Sequence, residues 1–207
     1  MEVIMAEDSI AAQIQATETE IFELTQKLAA LRKDAKTVEV PDYTFATQAG
    51  AVSLSALFAE KSQLLAIHNM GQGCRYCTLW ADGINGFLPH LESTMSVVLL
   101  SKDSPELQRE FANSRGWRFR LASHGGGTYA AEQTVMPNEN NMPGCVVYEK
   151  DGERILRKNS AVFGPGDLYC SAWNFLALAG IGTDAFTPQY SYWQRPEVLD
   201  DGGDNLL

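Results

Sequence analysis

Two cysteines, Cys74 and Cys77, are the residues of this chain best suited to chemistry. They follow the apolar run 64–67 and precede the helix-forming segment 78–82, so both thiols should lie at a strand-to-helix junction. The positive end of a helix dipole and the Arg75 guanidinium both favour the thiolate over the thiol. A thiolate is the nucleophile of disulfide exchange, and Cys77, one turn later, is placed to resolve a mixed disulfide. The pair therefore predicts a dithiol that cycles with a disulfide.

The same spacing of cysteines also occurs in zinc sites and among unreactive thiols. Zinc needs four ligands, and the sequence has no second C-x-x-C and no His-x-His pair, so Cys145 and Cys170 would have to join the first two cysteines. We favour the redox dithiol and expect no metal site. Cys145 and Cys170 are expected to be buried core thiols, although Cys145 could instead approach the dithiol as a third thiol.

Composition excludes several classes of function. The chain has 207 residues with 16 basic and 26 acidic side chains, for a net charge of −10 and an isoelectric point of about 4.7. Nucleic acids and anionic membranes bind basic surfaces, so neither is an expected partner. No apolar run approaches the ~18 residues of a membrane span, and the first residues lack the pattern of a secretion signal. We therefore expect a cytoplasmic protein.

The N-terminal region predicts one long amphipathic helix. Residues 6–32 contain no proline or glycine, and apolar side chains recur in alternating steps of four and three, as along the seam of a coiled coil. The seam consists of Ile10, Ile14, Ile21, Leu24, Leu28 and Leu31, with Thr17 filling one gap. This stripe must be buried either on the chain's own domain or against a second copy, and we expect a homodimer whose interface includes the helix.

We divide the chain into this helical arm, residues 1–37, an α/β domain, residues 38–199, and an acidic tail, residues 200–207, which we expect to be flexible. Strand-like apolar runs alternate with helix signals in the domain, which indicates a layered sheet flanked by helices. Predicted strands and helices are a dithiol helix to about Leu91, a strand at 96–100, a helix from Ser104 to Gly116, a strand at 118–122, a short helix at 129–132, a hairpin turning at Asp151-Gly152, and a last helix at 167–179.

The order of these elements resembles the thioredoxin-like superfamily. The resemblance rests on the dithiol at a helix start and on Met142-Pro143 just before the hairpin 144–156. The segments 52–58 and 119–123 look like the peroxiredoxin-type branch of that fold. Residues 38 to about 195 resemble an uncharacterised bacterial family of predicted dithiol–disulfide oxidoreductases, through Asp42-Tyr43-Thr44-Phe45, the block from Gly73 to Gly83, and Arg115-Gly116-Trp117.

The resemblance implies roles for residues around the dithiol. Pro143 would be a cis-proline that forms one wall of the site, and the Met142 backbone would hold an extended substrate. His68 lies where thioredoxins carry a buried aspartate and would be the base for Cys77, because imidazole titrates near neutral pH. The alternative for His68 is a hydrogen-bonded histidine at a strand end. Tyr76, between the cysteines, is expected to be exposed and to contact substrate together with Arg75.

The expected function is thiol–disulfide oxidoreduction on a protein or small-molecule disulfide. No bound cofactor is needed, because the electrons pass through the cysteines. The peroxidase motif Pro-x-x-x-Thr-x-x-Cys is absent before Cys74, where Met70-Gly71-Gln72-Gly73 stands, so peroxidase activity does not carry over. The alternative is a non-enzymatic thioredoxin-like module that binds a partner or senses redox state.

Overall fold

Eight β-strands form one mixed sheet in the computed structural model, which describes residues 9–190. The strands are β1 (Val38–Val40), β2 (Thr44–Thr47), β3 (Gly50–Ser53), β4 (Gln63–His68), β5 (Ser96–Ser101), β6 (Arg120–Ser123), β7 (Gly144–Asp151) and β8 (Arg154–Val162). The helices are α1 (Ile10–Lys33), α2 (Leu54–Leu57), α3 (Arg75–Glu92), α4 (Pro105–Arg115), α5 (Thr128–Glu132) and α6 (Ser171–Leu178). The predicted tail and the start of the arm at residues 6–8 lie outside the described residues.

The strands follow the order β1-β8-β7-β4-β5-β6-β2-β3 across the sheet. Strands β4, β5 and β6 are parallel, and every other neighbouring pair is antiparallel. The hairpin β7–β8 turns where the sequence predicts it, at Gly152, whose φ of 61° suits a residue without Cβ. The outer strands β1, β2 and β3 extend both edges of the sheet and are not among the predicted strands.

Side chains alternate between two buried faces of this sheet, because successive residues of a strand point in opposite directions. In β4, Ile67 points to the face covered by α3, α4 and α6, and we call this the α3 face. Leu64 and Ala66 point to the opposite face, where Tyr129 of α5 and the residues of α2 pack, and we call this the α5 face. The position of a residue along the strand therefore decides which helices its side chain can contact.

Local signals fix most helix ends. The Ser104 side chain accepts a hydrogen bond from the Leu107 amide at the start of α4, and Gly116, with a φ of 68°, ends that helix as predicted. The last helix is shorter than predicted. Asp167 accepts hydrogen bonds from the amides of Tyr169 and Cys170 and so holds a turn, and α6 begins only at Ser171.

The arm extends from the domain as a helix that leaves its apolar seam in water. No residue of α1 is buried, and Ile10 and Leu31 are 71 % and 61 % exposed. Its contact with the domain is at its C-terminal root, where Arg32 donates a hydrogen bond to the Tyr169 hydroxyl at 2.6 Å. The part of the domain that the structure describes therefore does not cover the seam of the arm. None of the described helices is both long and apolar enough to cross a bilayer.

Candidate active site

Cys74 and Cys77 form a disulfide at the start of α3, with their Cα atoms 5.3 Å apart. Cys74 is the N-cap of the helix, and its Sγ accepts a hydrogen bond from the Cys77 amide at 3.1 Å. Cys77 is 3 % exposed, whereas Cys74 is half-buried. An incoming thiol or disulfide therefore reaches Cys74 more easily than Cys77.

The loop between β4 and α3 holds the dithiol through backbone amides. The Cys77 sulfur lies 3.5 Å from the Met70 amide, which points at it as a donor. The Asn69 side chain accepts from the Gly71 amide at 2.8 Å, and the Cys74 amide donates to the Gly71 carbonyl at 3.1 Å. Each sulfur thus faces a backbone N–H, and such donors stabilise the negative charge of a thiolate.

Asp103, in the turn after β5, supports the same loop from the side. Its carboxylate accepts a hydrogen bond from the Gln72 amide at 2.8 Å. Gly71 has a φ of 108°, and a Cβ at this residue would lie 2.8 Å from both carboxylate oxygens. Only glycine fits this conformation and this close approach. Asp103 lies near the dithiol only in the folded chain, and the sequence carries no signal that marks Asn69, although it lies five residues before Cys74.

Arg75 and Tyr76 occupy the two positions between the cysteines. Arg75 is exposed, and its guanidinium donates to the Gln189 side chain at 3.3 Å. Tyr76 is half-buried rather than exposed, because its ring stacks on Trp173 with centroids 6.2 Å apart and lies equally far from the core residue Trp80. The Tyr76 ring is thus packed in part against the core.

The peptide bond of Pro143, the residue before β7, differs from the expected one. The residue is buried and directly precedes Gly144, which is paired with His68 of β4. Its carbonyl accepts a hydrogen bond from the Phe163 amide at 2.9 Å. No peptide bond among residues 9–190 is cis, so the expected cis-proline is a trans-proline here. Met142 is half-buried and lines a small polar pocket with His68 and Asn69.

His68 ends β4 on the α5 face and not on the face of the dithiol helix. It follows Leu64 and Ala66 in the alternation, and its Nε2 lies 2.7 Å from the Tyr129 hydroxyl. Burial of the ring lowers the pKa of His68 to about 3, with smaller contributions from His124 and Arg157. A neutral ring with so low a pKa is a weak base. The base role stays a prediction, and this placement does not favour it.

The Tyr129 hydroxyl belongs to a buried polar chain that the sequence analysis missed. The Tyr148 hydroxyl donates to the Gln133 side-chain oxygen at 3.1 Å and lies 3.2 Å from the Tyr129 hydroxyl. Gln133 donates to the Tyr43 hydroxyl at 3.0 Å, which in turn donates to Glu132 at 2.6 Å. These residues lie up to 90 positions apart along the chain, so no local sequence pattern predicts their hydrogen bonds.

Cys145 and Cys170 are buried on the α3 face, as expected of core thiols. Burial raises the pKa of Cys145 to about 11 and also raises the pKa of Cys170. Cys170 is the N-cap of α6, so its predicted place within that helix is wrong. Both residues are free thiols. A thiol this reluctant to ionise is a poor nucleophile, which argues against Cys145 as a third redox thiol.

A largely apolar groove of about 370 Å³ opens on the α3 face. It lies between the second half of α3, which contributes Ile84 and Phe87, and the strand residue Cys145, with Arg32 of the arm root at its rim. Neither cysteine of the disulfide lines it. Within the described part of the chain, no three histidine, cysteine, aspartate or glutamate side chains converge closely enough to hold a metal ion.

The fold is similar to that of peroxiredoxins. Peroxiredoxin Q from Xanthomonas campestris is 17% identical over 70% of this chain and 96% of its own, with a TM-score of 0.54. Peroxidoxin BcpB from Mycobacterium tuberculosis is 21% identical over 74% and 98%, with a TM-score of 0.51. Reduced Prx3 from Vibrio vulnificus is 11% identical over 70% and 98%, with a TM-score of 0.53. These likenesses confirm the thioredoxin-like, peroxiredoxin-type α/β fold.

The sequence itself has one match at the level of families. No curated protein matches the chain. A family model described as bacterial protein of unknown function, DUF899, matches residues 8–198, which covers the arm as well as the sheet. This agrees with the bacterial family that the sequence resembles. Since the match spans nearly the whole chain, the protein belongs to the DUF899 family.

Proposed function

We propose that this protein is a thiol–disulfide oxidoreductase whose Cys74–Cys77 pair alternates between dithiol and disulfide. The observation that carries the proposal is the disulfide at the N-terminus of α3, with one accessible and one buried sulfur. Helix N-termini lower the free energy of a thiolate. The backbone donors at both sulfurs act in the same direction. These features support a reversible two-electron centre over a structural cross-link.

The proposed reaction starts from the reduced protein. The Cys74 thiolate attacks one sulfur of a substrate disulfide and forms a mixed disulfide, and the other substrate sulfur leaves as a thiolate and takes up a proton. Cys77 then loses its proton and attacks the Cys74 sulfur, which releases the second substrate sulfur as a thiol. The substrate gains two electrons and two protons, and the protein ends with the observed disulfide. An external thiol reductant restores the dithiol.

We further propose that the surroundings of Cys74 hold an extended protein or small-molecule disulfide. Arg75 offers an exposed cation next to the nucleophile, and the free part of the Tyr76 ring offers an apolar contact. On the far side, the Met142 backbone can pair with an extended chain, and the buried Pro143 keeps that segment in place. We place this chemistry in the cytoplasm, where thiol reductants are available. Cell fractionation tests the location.

The test of function measures reduction of a model disulfide by the purified full-length protein in the presence of a thiol reductant. Cys74→Ser should abolish the reaction. Cys77→Ser should retain the attack and accumulate a mixed disulfide on Cys74, which mass spectrometry detects. Cys170→Ser is the matched control, because it removes a buried thiol outside the site and should leave the rate unchanged.

Two outcomes would contradict the proposal. The first is a wild-type rate no higher than that of Cys74→Ser. The second is a mixed disulfide on Cys145 or Cys170 instead of Cys74. If the disulfide forms and breaks reversibly without any reduction of substrates, the chain is the alternative, a redox-sensing binding module.

A further inference from the structure

The arm presents an apolar seam that the described residues, 9–190, leave largely exposed. Helix α1 has 24 residues, and the hydrogen bonds described between it and the domain lie at its root, at Arg32. Ile14, Ile21 and Leu24 are 55 %, 52 % and 56 % exposed. Helices in proteins owe most of their stability to packing of such a face. A partner surface that matches this seam is therefore required.

A second copy of the same helix supplies a matching surface. The alternating steps of four and three assign Ile14, Ile21 and Leu28 to heptad position a, and Thr17 and Leu24 to position d. A narrow apolar seam at positions a and d is the pattern by which one helix packs against another in a coiled coil. The residues that flank the seam, at positions e and g, then decide the relative direction of the two helices.

The flanking charges favour an antiparallel pair. Positions g include Glu20 and Lys27, and positions e include Thr25 and Arg32. In a parallel pair, g of one helix meets e of the partner's next heptad, so Lys27 would face the partner's Arg32 and Glu20 would face the partner's Thr25. In an antiparallel pair, g meets g, and Glu20 faces the partner's Lys27 twice across the dimer. The parallel pair contains two repulsive contacts, and the antiparallel pair contains two attractive ones.

We propose that two copies of the chain join through α1 as an antiparallel coiled coil, in which Ile21 packs against the partner's Leu24 and Glu20 pairs with the partner's Lys27. In this register Ile14 lies opposite the partner's Leu31, and the helices cross between residues 22 and 23. The crossing point is ~10 residues from each root, so the two roots lie ~30 Å apart. The proposal does not depend on the redox function.

Charge-reversal variants of the full-length chain test the direction, with the dimer dissociation constant measured by analytical ultracentrifugation. The wild type should show twice the chain mass of 22.8 kDa. Glu20→Lys and Lys27→Glu should each weaken the dimer about tenfold, because each turns two attractions into two repulsions. The double variant should restore the wild-type affinity. Glu23→Lys is the matched control, because it makes the same charge change at outward position c and should have no effect.

The same experiment can overturn the proposal. A parallel dimer predicts that Lys27→Glu strengthens association, because it replaces the repulsion from the partner's Arg32 by an attraction. A wild type that stays monomeric at high concentration excludes the pairing altogether. All three substituted side chains are exposed in the single chain, so they should not disturb its folding. Circular dichroism of each variant checks this.

Cross-linking gives an independent readout of the register. One preparation carries Ile21→Cys and another carries Leu24→Cys, and the two are mixed and oxidised mildly. The antiparallel pair predicts cross-links between positions 21 and 24 of different chains, which form only in the mixture. Cross-links within each separate preparation, between two copies of position 21 or two copies of position 24, would show a parallel pair and refute the proposal.

Discussion

Acidification should destabilise this protein chiefly through His68. The ring is packed edge-to-face against Tyr129, with centroids 5.4 Å apart, and its Nε2 is hydrogen-bonded to the Tyr129 hydroxyl. Burial, together with the nearby His124 and Arg157, lowers the pKa of His68 from 6.5 to about 3. The folded protein therefore holds a neutral ring under conditions in which the unfolded chain carries a charged one.

The sign and size of the effect follow from proton linkage. Because the pKa is lower in the folded state, the unfolded chain binds the proton first, so the free energy of unfolding falls as the pH drops from about 6.5 towards 3. Between pH 7 and pH 5 the loss assigned to His68 is about 2 kcal/mol. Carboxylates add to the acid sensitivity only at lower pH, and His124, whose pKa is also lowered by burial, adds a smaller part.

Urea unfolding at pH 7 and pH 5 measures this loss in the wild type and in His68→Asn. Asparagine does not titrate, and its side chain can still bond to the Tyr129 hydroxyl, so the variant should be about 2 kcal/mol less sensitive to the pH change. His124→Asn is the matched control, and it should reduce the loss of unfolding free energy between pH 7 and pH 5 by a smaller amount. Equal pH dependence in the wild type and His68→Asn would refute the reasoning. The alkylation rate of the reduced Cys77 in His68→Asn decides the base role, and we expect it to be unchanged.

Three more predictions concern the surroundings of the dithiol and the core. Asp103→Ala should change the alkylation rate of the reduced dithiol and leave the melting temperature nearly unchanged, because the Gln72 amide loses its acceptor. Asp103→Asn keeps an acceptor, so its alkylation rate should stay close to that of the wild type. Asp82→Ala should cost about 1–3 kcal/mol in urea unfolding, because the buried Trp117 indole N–H loses its acceptor at 2.7 Å. Cys145 should react with iodoacetamide at pH 8 at least ~100-fold more slowly than an exposed cysteine, as peptide mapping can show, because its pKa is raised to about 11.

The sequence alone predicts those helix ends and turns that depend on neighbouring residues. The start of α4 at Pro105, the end at Gly116 and the turn at Gly152 each depend on one or two residues with a strong backbone preference. The dithiol is equally local, because both cysteines lie within one helical turn. The predicted start of α6 is wrong, since Asp167 competes for the amides that a helix would use.

Other features depend on residues far apart in the chain, and no local pattern predicts them. Tyr43 meets Gln133 across 90 positions, and Asp103 meets Gln72 across 31. His68 is an instructive case, because the alternation of Leu64 and Ala66 with the helix-facing Ile67 already indicates its face. The strand period alone therefore directs the His68 side chain away from α3, whereas its hydrogen bond to Tyr129 depends on a contact across 61 positions.

Two features can stabilise the Cys74 thiolate, the charge of Arg75 and the backbone amides of the loop, and an experiment can compare their effects. Arg75 is exposed, and salt and water screen its charge, so Arg75→Glu should slow alkylation of the reduced Cys74 by no more than ~5-fold, and less at high salt. The amide donors at the two sulfurs are instead fixed by the loop that Gly71 and Asp103 hold, and salt does not screen a directed hydrogen bond at close range in the same way. Asp103→Ala should therefore shift the alkylation rate at high and low salt alike. An Arg75 effect larger than that of Asp103→Ala at high salt would show that the side-chain charge, and not the loop, controls the thiolate.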